Sequence, residues 1–232
     1  MNSYAVVLGG GSGKRMGAGQ NKVFLPVGGV PAIIRSIRAF QGLCRGAVVV
    51  IAPGEENQLN ALIDRFGLAS FVLAIVPGGK ERQDSVWNGL NALPADTEYV
   101  LIHDGARALV TEQVIRDSLE SARQHGSGIA AVPVVDTIKR AAADGRVLET
   151  PDRASLYAMQ TPQTFHLPLI RQAHELARQD GFLGTDDASL LEHASLPVYL
   201  SRGHRENLKL TTPMDLALAA LILQQREKET QP

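Results

Sequence analysis

Short, unbroken apolar runs recur along the first half of the chain. They are Tyr4-Ala5-Val6-Val7-Leu8, Ala47-Val48-Val49-Val50-Ile51, Phe71-Val72-Leu73-Ala74-Ile75-Val76, Tyr99-Val100-Leu101-Ile102 and Gly128-Ile129-Ala130-Ala131-Val132-Pro133. Runs of this length with no polar alternation predict strands buried on both faces, as in a parallel sheet. Between them the apolar positions take helical spacing: Ile33, Ile34, Ile37 and Phe40 before Gly42, then Asn57 to Phe66, then Val86, Leu90 and Leu93, then a helix capped by Thr111 and running to Gln124. A helix is also expected to start near Lys14. Strand alternating with helix predicts an α/β fold, a Rossmann-like, mostly parallel twisted sheet with helices on both faces. Such sheets bind ligands beyond the carboxyl ends of their strands.

After Pro133 the rhythm breaks. Asp136 to Arg140 and Val147 to Thr150, joined by a turn at Asp144-Gly145, predict a polar β-hairpin with no helix between its strands. Two strands have too little core to stand alone. We therefore expect a projecting arm, at about residues 136–153, that packs on a second copy of the chain. The last third predicts helices over Leu167 to Arg178 and Asp186 to Glu192, with Thr185 as a candidate N-cap, and strands at Pro197 to Leu200 and Asn207 to Leu210. Thr212-Pro213-Met214-Asp215 reads as the cap of a final helix, and Gln224 onward as a frayed polar tail. No composition shift splits the 232 residues, so one domain is expected.

Composition narrows the partners. A net charge of -1 with no basic block argues against polymeric nucleic acid and against an anionic membrane surface. There is one cysteine, Cys44, so neither an internal disulfide nor a thiolate zinc site is expected. The N-terminus lacks the basic flank of a signal peptide and no apolar stretch is long enough for a membrane span. A cytoplasmic location is expected.

The chemistry lies where strands end. Gly9-Gly10-Gly11-Ser12-Gly13-Lys14-Arg15-Met16 follows the first strand; its glycines let backbone amides approach an anion, with Gly9, Gly10, Gly11 and Gly13 free of Cβ atoms. The spacing matches neither the P-loop nor the dinucleotide fingerprint. With Arg15 and Lys22 beside it, the loop suits a triphosphate, whose charge builds on the leaving pyrophosphate. Gly78-Gly79 opens a helix that carries Arg82 and Ser85, a plain helix cap or a contact to a pyrimidine base, and the two readings are compatible. Asp104, at the end of the fourth strand, reads as a Mg²⁺ ligand beside phosphate, or as half of a buried pair with Arg107, which can fork onto a phosphomonoester. His103 reads as structural. Lys209, between Leu208 and Leu210, either faces solvent or reaches a site.

These motifs resemble the nucleotidyltransferase superfamily that activates sugar and polyol phosphates. Further segments, Pro77 to Val86, Val100 to Arg107, Val135 to Lys139 and Thr185 to Ala188, resemble the 2-C-methyl-D-erythritol 4-phosphate cytidylyltransferase family, in order from about Val6 to Leu218. The resemblance implies transfer of a cytidylyl group from CTP, with Mg²⁺, to the polyol phosphate, releasing pyrophosphate, in non-mevalonate isoprenoid precursor biosynthesis. It implies that Arg15, Lys22 and Lys209 are catalytic and that Gly79 to Ser85 contacts cytosine and ribose. It further implies a homodimer in which Thr137 and Arg153 cross to the partner's acceptor phosphate, with Thr185 and Lys209 as acceptor contacts. A family for another polyol phosphate, such as ribitol 5-phosphate, shares most of these motifs, and a non-catalytic nucleotide-binding module is the different-class alternative. Val23, Ala108 and Gly9-Gly10 depart from the family pattern without removing a charge that the chemistry uses.

Overall fold

A computed structural model of the chain describes residues 2–10 and 21–229. Gly11, Gly13, Arg15 and the helix expected near Lys14 lie outside the described residues. In chain order the elements are β1 (Ser3–Leu8), β2 (Pro26–Val27), β3 (Val30–Pro31), α1 (Ala32–Arg38), β4 (Gly46–Ile51), α2 (Glu56–Arg65), β5 (Val72–Pro77), α3 (Arg82–Asn91), β6 (Tyr99–Asp104), α4 (Glu112–His125) and β7 (Ser127–Pro133). There follow β8 (Arg140–Ala141), β9 (Val147–Glu149), β10 (Tyr157–His166), α5 (Leu167–Gln179), α6 (Ala188–His193), β11 (Leu200–Arg202) and α7 (Pro213–Glu229).

The central sheet has seven strands in the order β11-β7-β10-β6-β1-β4-β5. All neighbouring pairs are parallel except the two made by β10, which runs antiparallel to both β6 and β7. Successive residues of each parallel strand feed opposite cores. Ala5, Val7, Ala47, Val49 and Ile51 join the cluster that holds α1, α2 and the inner side of α7, while Val6, Val48 and Val50 join the cluster that holds α3, α5 and α6. Burial on both faces is why these strands are continuously apolar. The expected fold class holds, and β8 with β9 forms the hairpin at the expected place, though shorter.

Several local expectations are corrected. β10 and the small β2–β3 hairpin were not anticipated. Thr185 does not cap α6, which begins at Ala188 with Asp187 at its cap and Asp186 Oδ1 accepting from Ser189 N at 3.0 Å. Asn207 to Leu210 is irregular rather than a strand, and the strand expected at Pro197 to Leu200 lies later, at Leu200–Arg202. α7 continues to Glu229 where a frayed tail was expected from Gln224. Its start is as expected: Asp215 Oδ2 accepts from the backbone N–H groups of Thr211 and Thr212, both at 2.7 Å. The Thr111 cap is also present, with Oγ1 accepting from Val114 N at 3.4 Å.

Candidate active site

The rim at the carboxyl ends of β1, β4, β5 and β6 is stitched together beyond the strands. Gly9 N donates to Val50 O at 2.6 Å, Gly78 N to Ile51 O at 2.7 Å and Gly105 N to Leu8 O at 2.8 Å. Asn21 is tied back to the end of β1: its Nδ2 donates to Gly9 O at 2.6 Å and to Glu55 Oε2 at 2.8 Å, and its Oδ1 accepts from Val23 N at 3.3 Å. That last bond caps the 3₁₀ turn Lys22–Phe24, whose Val23 and Phe24 are buried. Anchored so, Lys22 lines the cleft above β1. Asn21 was missed in the sequence; an Asn directly before a Lys-Val-Phe turn was the available signal.

The Gly79 segment is fixed just as tightly. Gly79 N donates to Ser85 Oγ at 3.0 Å, and Ser85 Oγ donates to Glu81 O at 3.1 Å. Asp84 Oδ2 accepts from Glu81 N at 3.2 Å, closing the helix start. A Cβ on Gly79 would stand 2.3 Å from Asp84 Cβ, so only glycine lets the loop lie this close to the helix. The helix-cap reading of this motif is therefore present, and Gly79 and Ser85 line the cleft as well.

Asp104 is the centre of an ionic cluster. Lys209 Nζ is 2.7 Å from its Oδ2, Arg107 Nε is 4.0 Å from the same oxygen, and Arg82 Nε is 3.7 Å from Oδ1. Burial alone would raise the Asp104 pKa, but Arg82, Lys209 and Arg107 together hold it well below the usual carboxylate range. Arg82 is opposed by its own burial, which Asp187 and Asp104 outweigh, so it stays charged. Arg107, 12% exposed, donates Nη1 to Asn207 O at 2.6 Å and Nη2 to Met159 O at 3.4 Å.

Lys209 owes its position to its neighbours rather than to a strand. Asn207 is fully buried and donates Nδ2 to Thr161 O at 2.8 Å and to Gln160 Oε1 at 3.2 Å. Leu210 N donates to Ala106 O at 2.9 Å and the Leu210 side chain is buried. The lysine is thus suspended between two anchored residues, over Asp104.

Two cavities meet at this cluster. The first, about 430 Å³, is lined by Gly9, Gly10, Lys22, Gly79 and Ser85 among others; the second, about 330 Å³, by Arg107, Gln160, Thr161, Gln163, Thr185 and Asp186 among others. Arg82, Asp104 and Lys209 line both. Of the sequence candidates, Gly9, Gly10, Lys22, Gly79, Ser85, Asp104, Arg107, Thr185 and Lys209 are brought together here. Thr137 and Arg153 are exposed on and below the arm and line neither cavity; Arg153 Nη1 donates to Val135 O at 2.8 Å. Arg82 was noted in the sequence only as a residue of the helix, yet it stands at the junction. Among the described residues there is no cluster of three or more His, Cys, Asp or Glu side chains that could hold a metal.

The chain is similar to known proteins over nearly its whole length. The family model IspD, 2-C-methyl-D-erythritol 4-phosphate cytidylyltransferase, matches residues 3–225. A 2-C-methyl-D-erythritol 4-phosphate cytidylyltransferase of Geobacillus thermodenitrificans is 49% identical over 232 residues, covering 99% of this chain and all of that protein. Among solved structures, a 4-diphosphocytidyl-2C-methyl-D-erythritol synthase from Anaerococcus prevotii superposes with a TM-score of 0.85 at 28% identity, covering 96% of this chain and 98% of its own. The cytidylyltransferase of Thermus thermophilus does so with a TM-score of 0.79 at 30% identity, covering 97% and 100%. With a family model spanning nearly its whole length and a full-length relative at this identity, the chain belongs to the 2-C-methyl-D-erythritol 4-phosphate cytidylyltransferase family.

Proposed function

We infer that the chain's cytidylyl transfer, from CTP to 2-C-methyl-D-erythritol 4-phosphate in isoprenoid biosynthesis, takes place where its two cavities meet. The observation that carries this is the sharing of Arg82, Asp104 and Lys209 by both cavities. CTP occupies the larger cavity, its base and ribose against Gly79 to Ser85 and its phosphates toward Gly9, Gly10 and Lys22. The polyol phosphate occupies the smaller one, against Thr185 and Arg107. A phosphate oxygen of the acceptor attacks the α-phosphorus of CTP, the bond to the bridging oxygen breaks, and pyrophosphate leaves with that oxygen. No covalent enzyme intermediate is needed, so positioning and charge carry the catalysis.

Lys22 and Arg15 neutralise the leaving pyrophosphate, and Lys209, held by Asp104, stands over the attacking phosphate. Mg²⁺ fits the donor set here: Asp104 is ionised, lines both cavities, and the ion commonly takes one or two carboxylates with phosphate oxygens and water. When bound, the ion supplies further neutralisation of the triphosphate.

The reading includes a homodimer through the 136–153 arm. Ile138, Val147 and Leu148 are 40–53% exposed on the arm, and neither Thr137 nor Arg153 lines either of the two cavities described above. Apolar side chains so displayed on a two-stranded arm suit burial against a partner, which would carry Thr137 and Arg153 to the partner's acceptor site. A cytoplasmic location belongs to the same reading, since CTP is the co-substrate. Pyrophosphate release from Mg²⁺, CTP and methylerythritol phosphate tests it. Ribitol 5-phosphate and ATP should be poor replacements and EDTA should abolish turnover; full activity in metal-free buffer, or equal use of ATP, would remove those parts of the reading.

A further inference from the structure

Arg82 reaches the junction from α3, and the carboxylate that holds it comes from the far end of the chain. Asp187 Oδ2 accepts from Arg82 Nη2 at 2.7 Å, and Asp187 is 1% exposed. The segment that carries Asp187 is pinned on both sides. From β10, Gln163 Oε1 accepts from the backbone N–H groups of Asp187 at 3.0 Å and Ala188 at 3.1 Å, while Gln163 Nε2 donates to Asp186 Oδ2 at 2.8 Å. From α3, Gln83 Oε1 accepts from Gly184 N at 3.0 Å, and Gln83 Nε2 donates to Phe182 O at 3.2 Å. The Asp187 carboxylate is therefore a fixed point, and the guanidinium bound to it has a fixed plane.

That plane matters because a guanidinium is a rigid fork on a flexible stem. With Nη2 held by Asp187, the Nε edge faces Asp104 at 3.7 Å, beyond hydrogen-bond range, and Lys209 keeps the close contact with Asp104 at 2.7 Å. Without Asp187, Arg82 would be drawn toward Asp104, the carboxylate its Nε edge already faces, and would compete with Lys209 for it. We propose that Asp187 is a positioning residue of the reaction: by tethering Arg82 it keeps that guanidinium available to the phosphates at the cavity junction and off the Asp104 carboxylate that Lys209 contacts. This rests on the cytidylyl-transfer reading above.

A double-mutant cycle tests it, because an interaction routed through one partner vanishes when that partner is removed. Asp187→Asn keeps the volume and loses the charge; it should lower kcat by about tenfold or more while changing KM for either substrate much less. Arg82→Gln should lower kcat by at least as much. The pair Arg82→Gln with Asp187→Asn should then lie within about twofold of Arg82→Gln alone. Should the Asn protein not fold, Asp187→Glu, which keeps the charge but displaces it by one methylene, takes its place in the same cycle. Multiplying losses, or a position-187 variant with wild-type kcat, would overturn the role of Asp187. The absence of pyrophosphate release by the wild-type protein would instead overturn the underlying reading, and the inference with it.

Discussion

Acidification from pH 7 to pH 5 should cost this protein about 2 kcal/mol through His103 alone. The ring is fully buried, with Phe40 edge-on at 5.1 Å between centroids. Its Nε2 is 3.2 Å from Arg107 O, and since a carbonyl only accepts, Nε2 carries the proton. Nδ1 then accepts from Thr161 Oγ1 at 3.0 Å, and that oxygen accepts from Asp104 N at 3.0 Å, so the neutral ring braces both ends of the Asp104-to-Arg107 turn. Burial pushes the pKa from 6.5 down to about 4, more than Asp104 and the hydrogen bonds restore. A lowered folded pKa means that the unfolded chain takes up the proton first. Stability is therefore full above the unfolded pKa, falls as pH drops through the window from 6.5 to about 4, and levels off below it. The whole shift corresponds to about 3.4 kcal/mol, of which a little over half falls between pH 7 and pH 5. The measurement is urea unfolding of wild type and His103→Gln at both pH values. His174, buried and likewise lowered to about 4, titrates in both proteins and cancels in the comparison. The Asp104 carboxylate, already held ionised, titrates only below this window. The variant should lose about 2 kcal/mol less than wild type on acidification. Parallel losses, or an NMR titration of the folded wild type placing His103 near 6.5, would refute the reasoning.

Lys22→Ala and Lys209→Ala should each lower kcat by about 10²-fold with folding intact, the scale of losing one preorganised donor; steady-state kinetics that show only a KM change would mean uniform binding instead. Gly79→Ala should raise KM for CTP by about tenfold, because its Cβ, 2.3 Å from Asp84 Cβ, must push the loop off the start of α3; unchanged CTP binding by calorimetry would contradict that. Lys22→Ala and Arg153→Ala, refolded together, should recover about a quarter of wild-type activity, since half of the dimers are hybrids and one site in each hybrid is whole. No recovery, with hybrids confirmed by native mass spectrometry, would mean that the arm is only an interface or that Arg153 serves its own subunit.

What could be read from the chain follows from how each element satisfies its polar groups. β1, β4 and β6 are buried on both faces by helices and so appear as plain apolar runs. β10 is buried too, yet it reads Gln160-Thr161-Pro162-Gln163-Thr164 through its middle and gives no apolar signal. Its side chains are paired with groups far along the chain: Gln160 with His204, Thr161 with Asp104 N, Gln163 with Asp187 N, and Thr164 with Ser118. Burial of this kind leaves no periodic trace in a sequence. The role of Arg82 leaves as little trace, since the carboxylate that holds it is 105 positions away. Lys209 alternates with leucines as on a strand, whereas Asn207 and Leu210, not a sheet, hold it.

The strand that breaks the parallel pattern also divides the labour of the site. The first cavity is built from loops at the ends of parallel strands, Gly9-Gly10 after β1, the Gly79 segment after β5 and Asp104 at the end of β6, joined by Lys22 and Lys209, an arrangement that any open α/β sheet can offer a nucleotide. The second cavity has β10 as its floor, through Met159, Gln160, Thr161 and Gln163, and its walls include Thr185-Asp186 and Lys209. Gln160 fixes the segment that carries Lys209 through Asn207, and Gln163 fixes the segment that carries Thr185 through Asp186 and Asp187. Two glutamines of one antiparallel strand thus set both walls of the second cavity. The same two segments reach the first cavity as well, since one carries Lys209 and the other carries Asp187, which holds Arg82, so the cluster of Arg82, Asp104 and Lys209 is where the two halves of the site must agree.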